Sequence, residues 1–521
     1  MSKFIVEFIV NMSIPQIICI SLSFICSLFK NTAISIIQMI LFIFFTSSWS
    51  ESIIWESQPS FPIDQLFSFV KRPFEIFYQN NEWGIDTMYG LQNEIGRKYL
   101  LLFWLLLLLS LFVIYLYRQN MKKRFYLKAS IVVLNLVLVM SLIGGVLPES
   151  RLRINNKWDG YFSDFFSYNR QGLKKTNDVN YEITDYNLNV KIERLLNVKG
   201  ELQLKSQIPQ QDFSFTLYKN YKIRSLNSKD SLTYNQEGDY VHIHFDKPII
   251  DAQLSIEYSG YHPRFYSNQE AVLLPGYFPW YPMSGEKQIY INSGDIMQPV
   301  LNGYNSYNSI NKANITLHTD RDIITNLKKT NKKEYSGKSD SISLFDGYID
   351  NTGYDDIITY LSLANGKEDE VSFMRTEIKN SLEILDQQIG ISTNLFDSKK
   401  IFFVTQDIHR NNSLGAIAIF DDYAIITRMI NPGSLLEYLT NKSSKYTPLA
   451  CLMKTLSFGN TVEETYSNTL NNLDNQELKS KIEEVVKKVG IKKFLNATYL
   501  YTLDESQEDD MQFLERMMKN D

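Results

Sequence analysis

The strongest constraint in this 521-residue chain is the placement of its charges. Four stretches carry none at all: 8–29, 31–50, 99–117 and 129–148. Each is close to the ~20 residues an α-helix needs to cross hydrocarbon. A charge at mid-bilayer costs at least ~2.5–3.5 kcal/mol on insertion scales, so such gaps read as membrane helices. Pro15 and the polar Asn11, Ser13 and Gln16 make the first run the weakest. The loops then set a direction. Lys30 falls between the first two runs, and Arg118, Lys122, Lys123, Arg124 and Lys128 fill the turn between the last two, with no acid among them. Positive loops stay cytoplasmic. The expectation is therefore an α-helical membrane bundle over 1–150, embedded in a lipid bilayer as a multi-pass cell-membrane protein. Everything after Pro148 is expected to be extracytoplasmic.

Beyond residue 150 the texture changes. The mean hydropathy of −0.20 conceals this division. Leu188, Val190 and Ile192 alternate with polar residues, as do Phe213, Phe215 and Leu217, and Val241, Ile243 and Phe245. Period-two alternation predicts half-buried strands, and Lys199-Gly200 and Glu237-Gly238 mark turns between them. The reading for 151–360 is an antiparallel β-sandwich. From 361 to 521 the spacing becomes helical. Phe373, Ile378, Leu382 and Leu385 share a helix face closed by Gly390, and Leu478, Ile482, Val485 and Val489 share another closed by Gly490. Runs 401–404, 416–419 and 423–427 read as strands, so this part is an α+β domain. A net charge of −5 gives no reason to expect nucleic acid. Three cysteines, Cys19, Cys26 and Cys451, make no disulfide framework or zinc ribbon.

Two family resemblances follow from particular segments. Ser27-Leu28-Phe29-Lys30-Asn31-Thr32-Ala33 resembles the cytoplasmic turn between late helices of ABC-2-type transporter permeases. That resemblance implies a permease lacking its first three helices. Its partners would be a separate ABC ATPase subunit, since no ATPase motif is present, and another permease half or a second copy. Lys30 and the basic residues 118–128 become candidate coupling loops.

The second resemblance is to M1 aminopeptidases. Residues 187–203 look like the first strands of that family's N-terminal sandwich. Leu254-Ser-Ile-Glu-Tyr-Ser-Gly260 is similar to its strand ending in Tyr-x-Gly, and Gly276-Tyr-Phe-Pro-Trp-Tyr-Pro282 resembles a Phe-Pro segment of permease-linked members. Ser413-Leu-Gly-Ala-Ile-Ala-Ile419 resembles the substrate-facing strand, keeping the glycine as Gly415 but losing the Glu-Asn end that helps hold a peptide's free amine; Gly415 and Ala416 become candidate contacts for a substrate or partner. The resemblance implies a gluzincin-like α+β fold over 361–521.

The family's chemistry needs His-Glu-x-x-His on a helix, which puts two imidazoles on one face for zinc with glutamate as the base. That motif occurs nowhere here; His409 is the last of the histidines, and 435–458 offers Glu437 and no histidine. Glu463 and Glu464 read as solvated helix charges. His242 and His244 share one strand face, His262 precedes Pro263, and none has a metal partner in sequence. No catalytic residue, metal or cofactor is assigned. Tyr277, Phe278, Trp280 and Tyr281 form the densest aromatic cluster outside the apolar runs, open to two readings: internal packing, or a surface for a peptide or partner.

The functional expectation is a membrane subunit of an ABC-type exporter with a non-catalytic M1-peptidase-like outer domain that handles peptides. The alternatives are a membrane-tethered M1-type aminopeptidase and a truncated permease remnant acting as a binding or sensor protein.

Overall fold

The strand pairs that organise this chain owe their faces to β-bulges. In the strand Tyr181–Ile192, Tyr181 and Ile183 point inward, and then Tyr186, Leu188, Val190 and Ile192 do. An irregularity in the register between Ile183 and Asp185 causes that change of parity, because one extra residue swaps the faces of all that follow. The partner strand Leu196–Thr216 makes the same exchange: Val198, Leu202 and Leu204 are buried before register shifts around 205–212, and Phe213 and Phe215 after them.

The protein is described by a computed structural model covering residues 8–27, 31–46, 76, 95–119, 133–137, 139–141 and 179–519, apart from 194, 263–264, 293–296, 300–311, 348–349, 355–357, 362–366, 398, 405–416, 427–429, 441–442, 444, 472, 474 and 505. It divides into two compact units, Met1–Gly160 with His262–Glu270, and Tyr161–Tyr261 with Ala271–Asp521.

The first unit holds a π-helical turn, Ile9–Ser13, and helices Ile14–Ser27, Thr32–Thr46 and Ile95–Gln119. Ile18, Ile76, Leu100, Leu101 and Trp104 form its interior, with Trp104 edge-on to Phe42 and Phe103 at 5.7 Å. Among the described residues, no helix is long and apolar enough to cross a membrane. The expected membrane bundle is therefore corrected, together with the permease, transporter and multi-pass readings built on it. The physical reason is that absence of charge measures composition, not the length of one continuous helix. The run from residue 8 is divided by the π turn carrying Asn11 and Ser13, which leaves 14 α-helical residues. The second run yields 15. At ~1.5 Å per residue both fall well short of the ~30 Å hydrocarbon core. The third helix carries Arg97 and Lys98 in its first turn. From the fourth run, 129–148, only 133–137 and 139–141 are described.

In the second unit the described strands build a nine-stranded sheet whose main path runs from Lys328–Asn331 through Glu334–Ser339, Ala313–Thr319, Tyr181–Ile192, Leu196–Thr216 and Tyr240–Gly260 to Lys222–Ser228. It is mixed, not antiparallel as expected: Tyr181–Ile192 and Ala313–Thr319 run parallel, with Leu188 opposite Leu317. Alternation reports which face a side chain takes and is blind to a neighbour's direction. A three-stranded sheet (Val272–Leu274, Ile324–Thr325, Leu344–Asp346) lies apart from it.

A five-stranded mixed sheet follows, in the order Asp350–Tyr354, Ile358–Leu361, Lys400–Val404, Tyr423–Ile426 and Ile417–Ile419. Helix Lys367–Ile389 packs with it through Ile378, Leu385 and Ile389. That helix ends at Gly390 (φ 79°), whose N–H reaches back to Leu385 and Asp386 carbonyls, a left-handed closure that glycine makes at no steric cost. Six further helices complete the layer, Pro432–Thr440, Pro448–Lys454, Val462–Asn471, Gln476–Val489, Ile491–Leu503 and Asp510–Lys519, around Leu435, Met453, Ile482, Val485, Phe494 and Leu514.

Candidate functional site

A polar junction of the second unit forms where the tail of strand Glu334–Ser339 meets the hairpin 417–426. Ser339, Ser341 and Ser343 alternate along extended chain, a spacing that places hydroxyls on one side. Tyr423, at the start of its strand and fully buried, answers them: its Oη lies 2.7 Å from both Ser341 Oγ and Ser343 Oγ. Ser343 Oγ also accepts from Gly276 N at 2.7 Å. A Cβ on Gly276 would stand 2.2 Å from the Tyr423 hydroxyl, so this approach requires glycine. Phe420 stacks on Tyr423 at 4.3 Å, and Phe402 meets its edge at 5.6 Å.

Carboxylates ring this core. Ser339 Oγ donates to Asp422 Oδ1 at 2.8 Å, and Asp421 N donates to Asp340 Oδ2 at 3.2 Å. Asn326 Nδ2 donates to Ser339 Oγ and to the Ser341 carbonyl, both at 3.0 Å. Lys312 pairs with Asp421 at 3.3 Å, and Lys400 Nζ donates to the Thr325 carbonyl at 2.7 Å.

Burial raises the Asp340 carboxyl above the usual carboxylate range, and the neighbouring Asp422 and Asp421 charges add to the rise. Burial raises Asp422 as well, against hydrogen bonds from Ser339 and Asn326 that pull it down. Burial lowers Lys400, opposed by Asp422, and draws Lys287 down to about 7, opposed by Asp340.

The aromatic segment lies in the interior beside this junction. Tyr277, Phe278, Trp280 and Tyr281 are all buried, at 6% exposure or less. Trp280 Nε1 donates to the Ile342 carbonyl at 2.9 Å, and Tyr281 Oη accepts from Ile342 N at 3.3 Å. Tyr258 and Tyr186 donate their hydroxyls to the Trp280 and Pro282 carbonyls at 3.0 and 2.9 Å.

The other sequence candidates are dispersed. Gly415, Ala416, Lys30, Lys122, Lys123, Arg124, Lys128 and His409 lie outside the described residues, and Arg118 falls near the end of helix Ile95–Gln119. His242 and His244 face solvent from one strand, with Nδ1 atoms 3.6 Å from Glu286 and 2.7 Å from Asp212. Buried His262 accepts from Phe265 N at 2.9 Å. Glu463 and Glu464 occupy the first turn of Val462–Asn471, where Glu464 accepts from Asn460 N at 2.7 Å and Thr461 Oγ1 accepts from Glu464 N, a capping arrangement. Zinc, which the M1 resemblance implies, does not fit this donor set. The chain's five histidines include no pair four residues apart, and no group of three His, Cys, Asp or Glu among the described residues could hold a metal.

No family model matches the chain, and no curated protein matches it. Solved structures do. They include an M1 zinc metallopeptidase from Deinococcus radiodurans, as a mutant bound to a Tyr-Ser-Ala substrate, at 9% identity and TM-score 0.38 over 67% of this chain and 94% of that one. The non-mutant enzyme of that organism gives 10% and 0.37, over 66% and 92%. Yeast LTA4 hydrolase gives 7% and 0.33, over 68% and 64%. These neighbours are M1 metallopeptidase-like. At these scores the likeness assigns no residue a role.

Sequence reasoning missed Asp340, Asp422, Tyr423 and Asn326. The one signal available was Ser339-x-Ser341-x-Ser343. Tyr423 and Asp422 stand some 80 positions from these serines, with Ser341 and Tyr423 separated by 82, and Asn326 stands 13 from Ser339.

Proposed function

We propose that this chain is a peptidase-like protein that engages peptides without hydrolysing them. The observation that carries the reading is the absence of His-Glu-x-x-His from all 521 residues, with no histidine in 435–458, where the resemblance to M1 aminopeptidases would put it. A water nucleophile in that chemistry depends on a metal and a glutamate base, and this sequence supplies no such pair. Ile417–Ile419 ends the five-stranded sheet among the described strands, and the segment 413–419 resembles the substrate-facing strand of M1 aminopeptidases. An edge strand offers its main chain to an extended peptide, and that recognition needs no catalytic group.

The test is zinc content and aminopeptidase activity of the purified full chain, with fluorescence anisotropy of labelled unstructured peptides alongside. Saturable peptide binding without turnover, unchanged by added zinc, is the expected result. Hydrolysis that a chelator abolishes overturns the reading.

A further inference from the structure

We propose that strand Lys328–Asn331 is a docking edge for an extended acidic peptide, which pairs with it as a further strand of the nine-stranded sheet. This edge lies beyond the function given above, on a different strand from Ile417–Ile419.

The strand forms one end of the sheet's main path. Among the described strands it pairs on one side alone, with Glu334–Ser339, through Lys328 opposite Ser336, Lys329 opposite Tyr335 and Asn331 opposite Glu334. Its other side leaves a row of main-chain N–H and C=O groups for a newcomer. All four of its residues are exposed, so neither face of the strand is covered. The opposite end of the path differs. There Lys222–Ser228 buries Leu226, and Arg224 pairs with Glu257 at 3.7 Å.

The side chains decide what the newcomer carries. Residues 328–333 hold four lysines. Two are committed. Lys329 Nζ pairs with Asp322 at 2.7 Å and lies 5.9 Å from the Tyr335 ring centroid. Lys333, whose φ of 61° turns the chain, donates to the Asp320 carbonyl. Lys328 and Lys332 are exposed and make no ion pair among the described residues. Exposed Lys338 joins them. Lys328 stands opposite Ser336, and Lys338 lies two residues beyond Ser336, so both lysines take the solvent face, away from buried Tyr335 and Ser339.

This arrangement discriminates between occupants. A second copy of the strand would set lysine against lysine, and like charges directly opposite destabilise a pair. A strand with Asp or Glu at alternate positions brings carboxylates beside Lys328 and Lys338 while its main chain satisfies the open edge. A lipid headgroup would answer the charges and leave the edge unpaired.

Fluorescence anisotropy of a labelled peptide alternating Asp and Thr, titrated with the full chain, tests this against a peptide alternating Lys and Thr. The acidic peptide is expected to bind and the basic one not to. In Lys328→Glu/Lys332→Glu the acidic peptide is expected to lose about tenfold or more in affinity and the basic peptide to gain binding. Both positions are exposed, and gained binding shows that the variant is folded. Amide hydrogen exchange is expected to slow at 328–331 when the acidic peptide is added, and not at 222–228. Binding that leaves the 328–331 amides unprotected, or that survives the charge reversal undiminished, overturns the docking edge. So does binding to phosphatidylserine vesicles without binding of the peptide, which marks a membrane contact. Binding of a neutral peptide is expected to be equal in the wild type and the reversed variant, so the function above and this edge fail separately.

Discussion

Lys287 shows how a single buried side chain can make stability depend on pH. Its ammonium nitrogen has no solvent access, and burial draws it down to about 7 against the attraction of Asp340. A lysine depressed in the fold binds its proton more weakly there than in the unfolded chain. Wild-type stability therefore rises with pH from about 7 toward the ordinary lysine value of about 10.5, and the cost of burial is complete below that window. Lys287→Met keeps the aliphatic stem and removes the charge. Urea unfolding is expected to show the variant more stable by a few kcal/mol at about pH 6, with a smaller advantage at about pH 9. An advantage equal at both values rules out the ammonium as its source. The opposing signs of Lys287 and the raised carboxyls, a few residues apart in space, allow their contributions to be separated by pH alone.

Among the elements, the short helix Pro448–Lys454 depends on a residue distant in sequence. Thr447 caps it by accepting from Ala450 N, and Asp510, the first residue of the last helix, accepts from Leu449 N at 2.9 Å. Asp510 also accepts from Tyr501 Oη at 2.9 Å, and the Tyr501 ring stacks on Phe513 at 4.3 Å. One carboxylate thus fastens two helices to a third. Asp510→Ala leaves the buried Leu449 amide without its acceptor, while the Tyr501 hydroxyl keeps the Glu508 carbonyl at 3.0 Å, at a cost on the order of 2 kcal/mol. Chemical denaturation measures that loss, and a change within error of zero refutes the fastening role. Such contacts set the limit of what the sequence reveals. Local pattern sufficed for Leu188, Val190 and Ile192, for Val241, Ile243 and Phe245, and for the glycine closures at Gly390 and Gly490, all of which follow from nearest neighbours. Helix Gln476–Val489 is capped by Asn475, which accepts from Leu478 N at 3.1 Å. The bulge beside Ile183, the parallel pairing of Leu188 with Leu317 and the seam of Ser341 with Tyr423 involve partners that no local window contains.

At the scale of the whole molecule, the lesson of the first unit is that apolar composition and membrane-spanning length are separate quantities. Helices Ile14–Ser27 and Thr32–Thr46 are apolar yet short, and they leave large side chains uncovered. Ile17, Ile20 and Phe24 of helix Ile14–Ser27 are 54%, 70% and 66% exposed. Their spacing of three and four residues puts them on one face. A contiguous apolar face of this kind drives association in water, because each pair of faces that meets removes hydrocarbon from solvent. The full chain in detergent-free buffer is therefore expected to self-associate, and Ile20→Ser/Phe24→Ser to shift it toward monomer by severalfold in the apparent association constant. Sedimentation velocity across a concentration series measures the shift. Both substitutions are on exposed positions, so thermal unfolding of the second unit should be unaffected and serves as the control for folding. Association undiminished in the double variant would place the sticky surface elsewhere, and a wild-type chain that stays monomeric would show that this face is covered in solution.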